Sequence, residues 1–220
     1  SMNRLIQGDV GSGKTIVALT TLLTAVDNNK QAVLMVPTEI LAEQHYLNIR
    51  PFCEGLGVQT ALVTGTLKEK EKQAVYQDIE SGITQVIIGT HSLIQKEIKF
   101  NHLGLAVIDE QHRFGVLQRE ALGKKGNNPH LLIMTATPIP RSLALTFYGD
   151  MDVSFLDELP PGRQAITTQV FYEKQQNKAY KIMESELKLG RQAFVVCPLI
   201  EESTVMELKA AVTVFESIKE

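Results

Sequence analysis

The sequence predicts an α/β fold in which a parallel β-sheet is sandwiched by helices. Short aliphatic runs alternate along the chain with longer amphipathic segments, which is the pattern of strand-helix-strand units. The glycine-rich stretch GDVGSGKT follows the first of these runs, and the pair Asp109-Glu110 ends a later one. With 220 residues, 44% of them hydrophobic, the chain is long enough for one complete domain and part of a second.

Seven strands are predicted, each a short β-branched or aliphatic run bounded by turn residues. They are Arg4–Gln7, Ala32–Val36, Gln59–Val63, Gln85–Ile88, Leu105–Ile108, Leu131–Met134 and Val153–Leu156. The helices predicted between them include Lys14–Val26, Glu39–Cys53, Lys68–Glu80 and Pro140–Tyr148. The third helix carries its apolar residues on one stripe and its charges elsewhere, and Gly82 ends it.

A Pro/Gly-rich break, DELPPGRQ, predicts a linker at residues 157–164. We therefore predict a first domain at 1–156 and the beginning of a second domain at 165–220. In the second domain we expect strands Ile166–Phe171 and Ala193–Pro198 and helices Glu173–Leu189 and Thr204–Lys219. The start Ser1-Met2, and a chain that ends within a predicted helix, predict that both domains are truncated segments of a longer protein.

The charge, hydropathy and cysteine content of the chain bear on nucleic-acid binding, membrane contact and disulfide formation. The net charge of −3 argues against a strongly basic nucleic-acid-binding domain, although a groove can gather positive charge locally. No apolar run approaches the ~20 residues that span a bilayer, and the amino terminus lacks a signal-peptide pattern. We predict a cytoplasmic protein without membrane contact. Cys53 and Cys197 lie far apart and near no patterned histidine, which predicts free buried thiols.

Residues 8–15, GDVGSGKT, match the phosphate-binding pattern G-x-x-x-x-G-K-[ST] in full. Glycines let backbone N–H groups turn toward phosphate oxygens, and the amino end of a following helix adds partial positive charge. We expect Lys14 to reach the β and γ phosphates of ATP and the Thr15 hydroxyl to bind Mg²⁺. The predicted nucleotide-binding residues are Gly8, Gly11, Ser12, Gly13, Lys14 and Thr15. A glycine-rich turn without a ligand is the alternative.

A second group of candidate residues ends the apolar run LGLAVI. Asp109 and Glu110 follow it, and a buried parallel strand delivers such side chains to the ligand crevice at the carboxyl edge of the sheet. We expect Asp109 to hold Mg²⁺ through its water shell and Glu110 to orient and deprotonate the attacking water. The candidate catalytic residues are Lys14, Asp109, Glu110 and His112. His112 taken alone fits a surface or core position equally well.

The order and spacing of five stretches resemble the motifs of superfamily-two helicases. The stretches are GDVGSGKT, VPTEILAEQH, the pieces at 65–66 and 90–94, DEQHRFGVLQR and TATPIPRSLALT. Gln111, DELPPGR at 157–163 and VVCPLIEES at 195–203 resemble the bacterial members that remodel branched DNA. The resemblance implies a RecA-like sheet in both domains. It also implies ATP and Mg²⁺ as cofactors and hydrolysis of ATP as the activity.

The resemblance also implies a nucleic-acid side to the site. It places Pro37, Thr38, Glu39, Thr64, Gly65, Thr90 and His91 on loops that contact the phosphodiester backbone of DNA. It assigns Gln111, Thr135, Thr137 and Arg141 to coupling between the nucleotide and the DNA, with Arg141 either contacting DNA or supporting the loop after Asp109. From the residues alone, Thr38 is equally well explained as the N-cap of the helix that follows it.

The resemblance implies an enzyme that moves along double-stranded DNA and remodels stalled forks and Holliday junctions. It also implies a monomer, with replication-fork proteins as candidate partners. The alternative is a translocase of the transcription-repair-coupling type, which moves along DNA without separating strands. The family's arginine fingers belong to a second-domain motif that this sequence does not contain. Since such a group is worth ~10³–10⁵ in rate, we expect this segment to bind nucleotide but to hydrolyse it poorly.

Overall fold

The structure, a computed structural model, describes residues 1–67, 69–109, 122, 125–126, 128–137, 151–158, 166–197 and 211–219. The chain divides into two compact units, Ser1–Arg163 and Gln164–Glu220. This division lies inside the segment predicted as a linker. The domain boundaries themselves stay a prediction, and each unit is described by itself below.

The first unit contains a parallel sheet of seven strands within its described residues. The strands are β1 (Asn3–Gly8), β2 (Gln31–Met35), β3 (Thr60–Val63), β4 (Val86–Gly89), β5 (Leu103–Asp109), β6 (His130–Thr135) and β7 (Asp152–Leu156). Their order is β3-β4-β2-β5-β6-β1-β7, and every pair runs parallel. All seven predicted strands are present, with bounds that differ by two residues at most. The predicted fold class is confirmed.

Three helices of the first unit also agree with the prediction. They are α1 (Lys14–Asp27), α2 (Glu39–Gly55) and α3 (Glu69–Ser81). A 3₁₀ turn at His91–Ile94 follows β4. The helix predicted at Pro140–Tyr148 lies outside the described residues. Among the helices that the structure describes, none is long and apolar enough to cross a membrane.

Helix α2 begins at an N-cap that the sequence indicated. Thr38 has an extended backbone, with φ −131° and ψ 155°, and its side-chain oxygen accepts a hydrogen bond from the Leu41 N–H. This contact satisfies one of the amide groups that the first helical turn leaves without a partner. The cap interpretation of Thr38 is therefore confirmed.

The core consists of apolar side chains on both faces of the sheet. Every residue of β2 and β4 is buried, which explains their continuous aliphatic sequences. On one face, Leu22 of α1 and Ile49 of α2 pack in a cluster with Leu34 of β2. On the other face, Ile79 of α3 and Leu93 of the 3₁₀ turn lie in a second cluster. Burial on both faces leaves the strand ends and their loops as the accessible parts of the sheet.

Of the two cysteines, Cys53 lies in the core on α2 and Cys197 is half-buried in the second unit, and both are free thiols. The prediction of free thiols is confirmed, but burial is complete only at Cys53. Desolvation raises the pKa of the Cys53 thiol, which disfavours its reactive thiolate form. Cys53 is therefore a packing residue.

The second unit departs from the prediction. It contains a 3₁₀ turn at Glu173–Gln175, α4 (Gln176–Lys188) and α5 (Ala211–Lys219). The strand predicted at Ile166–Phe171 is wrong, and the one predicted at Ala193–Pro198 is wrong over 193–197, because these residues form no ladder. Val170, Phe194 and Val196 are 79%, 89% and 91% exposed. An aliphatic run favours extended backbone, but a strand exists only where a neighbour accepts its hydrogen bonds.

A buried glutamine joins three elements at the amino edge of the sheet. Gln31 of β2 is 3% exposed, and its side-chain nitrogen donates to the carbonyl oxygens of Ile79 and Thr84, both at 2.8 Å. Its side-chain oxygen accepts from the N–H groups of Asn101 and His102 at 2.7 and 3.1 Å. The carboxamide thus satisfies four backbone groups that would otherwise lose their partners away from water.

We expect Gln31→Met to destabilise the chain by about 2–4 kcal/mol, because a methionine of similar size leaves these backbone groups without partners. The measurement is urea denaturation followed by circular dichroism. Gln44→Met, at an exposed position of α2, is the matched control and should unfold at the wild-type midpoint. Equal midpoints for the two variants would show that the Gln31 network does not stabilise the sheet.

Candidate functional site

The loop after β1 is built around two glycines. Gly8 is buried, and a Cβ atom there would lie 2.6 Å from Ser12 Oγ and 2.8 Å from Leu156 Cβ, so no other residue fits without displacing the loop or β7. Gly13 has φ +92°, in the left-handed region that glycine adopts without strain. These two positions let residues 8–15 turn tightly from the end of β1 into α1.

The start of α1 has the features of an anion site. Gly13 provides no side-chain cap, and the first turn contains no acidic residue that would compete for its amide groups. The Ser12 hydroxyl is buried and has no hydrogen-bond partner among the described residues. Orphan donors at a helix amino end suit phosphate oxygens, so the predicted nucleotide-binding residues fit the phosphates of ATP.

Lys14 turns back onto the loop that precedes it. Its ammonium group donates to the carbonyl oxygens of Gly8 and Asp9 at 2.7 and 2.8 Å. An ammonium group has three donors, so a phosphate must either use the remaining one or replace these carbonyls. The neighbouring Thr15 is exposed at the start of α1. Both side chains therefore lie at the edge of the sheet where the nucleotide is predicted to bind.

Asp109 ends β5 at the same edge, and it contacts a residue that the sequence did not single out. His45 of α2 approaches it, with 3.1 Å between His45 Nε2 and Asp109 Oδ2. Strand β6 separates β5 from β1, and at ~4.8 Å per strand the loop of Gly8 and Asp109 lie about 10 Å apart across the sheet. This gap suits a phosphate and a hydrated Mg²⁺ ion. Glu110 and His112 lie outside the described residues.

Thr135 ends β6, the strand between the two halves of the site. It is buried, and its hydroxyl oxygen accepts a hydrogen bond from the Thr137 N–H at 3.1 Å. The structure therefore brings together two of the predicted coupling residues and places them between Gly8 and Asp109. Gln111 and Arg141 lie outside the described residues.

Six of the predicted DNA-contact residues lie in the loops after β2, β3 and β4, at the same edge of the sheet. They are Pro37, Thr38, Thr64, Gly65, Thr90 and His91. The loops after β2 and β3 are joined, because Glu39 Oε1 accepts a hydrogen bond from the Gly65 N–H at 2.8 Å. Gly65 and His91 are exposed, whereas Thr64 and Thr90 are 6% and 2% exposed.

The two buried threonines in these loops make local contacts. The Thr64 hydroxyl lies 3.0 Å from that of Thr66, and the Thr90 hydroxyl lies 3.3 Å from that of Ser92. Since these hydroxyls are buried and satisfied within their own loops, their observed role is to shape the loops. The exposed backbone at Gly65 and the exposed His91 side chain are the groups that a ligand at this edge can reach.

A cavity of about 710 Å³ opens at the opposite, amino edge of the sheet. Lys30, His102 and Lys125 are among its lining residues, with Thr21 of α1 and Asn28 just after that helix. Burial lowers the pKa of Lys125, whose ammonium group is directed at the carbonyls of Gln95 and Ile98. None of the predicted site residues lines this cavity, so its size alone does not identify a nucleotide site.

His45 was not predicted as a functional side chain, and Glu39 was predicted only as a DNA contact, without its bond to Gly65. His45 occupies the buried stripe of α2, with Ala42, Ile49 and Cys53. A histidine at a position where helical periodicity predicts an apolar residue is the signal that could have identified it. The contact of Glu39 with Gly65 has no comparable signal, because it joins loops that are distant in sequence.

Comparison with known proteins identifies the class. The DEAD/DEAH box helicase family model matches residues 1–146, so the chain belongs to the DEAD/DEAH box helicase family. Among individual relatives, ATP-dependent DNA helicase RecG of Aquifex aeolicus is 52% identical over 220 residues, covering 99% of this chain and 28% of the relative. RecG of Bacillus subtilis is 47% identical over 219 residues, covering 100% of this chain and 32% of the relative.

Solved structures agree with this result. The structure of RecG bound to a three-way DNA junction matches with a TM-score of 0.75 and 44% identity, covering 90% of this chain and 27% of the other. The helicase MrfA bound to DNA and AMPPNP, at 16% identity and a TM-score of 0.64, shares the fold. The predicted resemblance to superfamily-two DNA helicases of the RecG type is confirmed, and so is the RecA-like sheet of the first unit. The chain spans roughly three tenths of its RecG relatives.

We expect the chain to bind ADP through Lys14, and Lys14→Ala to weaken binding about 10–100-fold, which corresponds to one or two charge-assisted hydrogen bonds to phosphate. Calorimetric titration with ADP and Mg²⁺ measures the affinity. Lys30→Ala, at the amino-edge cavity, removes the same charge at the other end of the sheet and should leave it unchanged. If only Lys30→Ala weakened binding, the nucleotide site would be the cavity.

Proposed function

We propose that the protein containing this chain hydrolyses ATP to move along double-stranded DNA and remodels branched DNA such as stalled forks and Holliday junctions. The observation that carries the proposal is the arrangement of one sheet edge. A phosphate loop, the acidic end of β5 and three loops suited to a phosphodiester backbone all lie along it. The similarity to RecG helicases, one of them bound to a three-way DNA junction, supports branched DNA as the substrate.

On the nucleotide side, Lys14 and the amide groups at the start of α1 hold the phosphates of ATP. Thr15 and Asp109 hold Mg²⁺, which neutralises charge on the phosphates when bound. Glu110, next to Asp109 in the sequence, orients the attacking water and accepts its proton, and His112 is the further catalytic residue of this segment.

On the DNA side, the loops after β2, β3 and β4 contact the phosphodiester backbone without reading bases. A phosphodiester oxygen can replace the Glu39 carboxylate as the acceptor of the exposed Gly65 N–H, and the exposed His91 side chain lies at the same edge. Such donors bind DNA without a large excess of basic residues. This is consistent with a chain whose net charge is −3.

Coupling between the two sides uses residues near the middle of the edge. Thr135 ends β6 and Thr137 follows it, between the phosphate loop and Asp109, and together with Gln111 they pass the nucleotide state to the DNA side. Arg141 supports the loop after Asp109 or contacts DNA. This segment adopts one conformation when the γ-phosphate is bound and another when it is absent, and this difference changes the contacts of the DNA loops.

Within a complete motor, residues 1–156 form one wall of the nucleotide site. An arginine finger from a second motor domain supplies the remaining charge at the γ-phosphate and is worth ~10³–10⁵ in rate. The chain alone is therefore a nucleotide-binding half-motor with slow turnover.

We expect the full-length protein to show ATP hydrolysis that forked DNA stimulates, and Lys14→Ala or Glu110→Gln to abolish it, because they remove the phosphate contact and the base. A coupled ATPase assay with and without forked DNA measures this. Lys30→Ala is the control and should retain stimulated turnover. Undiminished hydrolysis in either site variant would exclude the role assigned to that residue.

Strand displacement on the same forked DNA separates this function from its nearest rival. A remodelling helicase releases or anneals strands at the fork in an ATP-dependent way. A translocase of the transcription-repair-coupling type keeps the stimulated ATPase and displaces a bound obstacle while leaving the strands paired. ATP hydrolysis without any change in the DNA strands would therefore favour the rival.

A further inference from the structure

We propose that His45 is a positioning residue for the metal-binding carboxylate of Asp109, and that α2 transmits DNA contact to it. This inference rests on the proposed function, since it adds a route between the nucleotide and DNA sides of the same site. It is carried by one contact at each end of a short helical segment: the contact of His45 with Asp109 and that of Glu39 with Gly65.

The contact of His45 with Asp109 is a largely buried hydrogen bond between an imidazole and a carboxylate. His45 is 8% exposed, and its Nε2 atom lies 3.1 Å from Asp109 Oδ2. An ionised carboxylate only accepts hydrogen bonds, so the imidazole Nε2–H donates to it. This bond limits rotation of the Asp109 carboxylate, whose side chain is 16% exposed. A histidine that orients a metal-binding carboxylate is a second-shell partner of the kind that tunes metal affinity.

Packing alone does not account for a histidine at this position. Its neighbours on the buried stripe of α2 are Ala42, Ile49 and Cys53, which are apolar or a buried thiol. Furthermore, His45 Nδ1 is buried and has no hydrogen-bond partner among the described residues, which is unfavourable for a polar atom. A leucine would fill the same space without that cost. The contact with Asp109 is the observation that explains the imidazole.

Helix α2 connects this contact to the DNA edge. It begins after Thr38, and in its first turn Glu39 accepts the hydrogen bond from the exposed loop at Gly65. Six residues separate Glu39 from His45, which is about 9 Å along a helix at ~1.5 Å per residue. Because this segment is continuous helix, a displacement of its amino end by a phosphodiester moves His45 with it. DNA binding thereby changes how firmly the Asp109 carboxylate is held.

The experiment measures metal affinity directly in the full-length protein, without requiring turnover. Mn²⁺ replaces Mg²⁺ as a paramagnetic probe, and its binding to the ADP complex is followed by electron paramagnetic resonance. Three variants are compared: His45→Leu removes the donor at similar volume, His45→Gln returns an N–H near the Nε2 position, and Ile49→Val perturbs α2 packing one turn further on. All three are first checked for folding by thermal unfolding.

We expect His45→Leu to weaken Mn²⁺ binding about 10–100-fold, the usual cost of losing a second-shell partner. His45→Gln should recover most of this loss, and Ile49→Val should leave affinity within twofold of wild type. An unchanged affinity in His45→Leu would overturn the positioning role. So would an equal loss in Ile49→Val, which would show that α2 packing alone is responsible.

Transmission through α2 is tested by repeating the Mn²⁺ titration with forked DNA present. Because linkage is reciprocal, DNA that acts through His45 must change the Mn²⁺ affinity of the wild type, and His45→Leu must remove that change. An equal effect of DNA in both proteins, or none in the wild type, would overturn transmission. The proposed function is tested by a different readout: it is wrong if the wild type shows no DNA-stimulated ATP hydrolysis. The Mn²⁺ affinities of the variants without DNA test the positioning role whatever the result of that assay.

Discussion

The parallel direction of all described strands is the constraint on which the site depends. Since the strands run the same way, their carboxyl ends meet at one edge, where Gly8, Asp109 and Thr135 each end a strand. Both faces of the central strands β2, β4 and β5 are largely buried, so the loops at the two ends of these strands are their accessible parts. Residues at the carboxyl ends of nearby parallel strands lie close together, so the phosphate loop after β1 and Asp109 at the end of β5 share one crevice, as in open α/β sheets generally.

Buried polar side chains at the two edges have different consequences. At the amino edge, the Gln31 side chain makes hydrogen bonds to four backbone groups, and its role is to stabilise the fold. At the carboxyl edge, His45 satisfies one carboxylate and leaves its own Nδ1 without a partner among the described residues. A fully satisfied network rigidifies a fold, whereas a partly satisfied one indicates a functional demand. This contrast supports our proposal that the carboxyl edge, and not the edge with the cavity, is the functional one.

Local sequence patterns predicted the strands and helices of the first unit well. They did not predict contacts between residues that are distant in sequence. Strands β1 to β7 and the Thr38 cap follow from aliphatic runs and turn chemistry within a few residues of each position. The pairing of His45 with Asp109 joins residues 64 positions apart, which periodicity cannot indicate. The strands predicted in the second unit failed for a related reason: runs such as residues 193–197 favour extended backbone, yet a ladder requires a neighbour that local sequence does not specify.

A crystal structure of the chain with Mg²⁺ and ADP tests the central claim most directly, namely that the carboxyl edge is the nucleotide site. The β-phosphate should lie against the amino end of α1, with the Lys14 ammonium moved from the carbonyls of Gly8 and Asp9 to phosphate oxygens and the contact of His45 with Asp109 retained. ADP bound instead in the cavity beside Lys30 and Lys125, with Lys14 still on its two carbonyls, would contradict it.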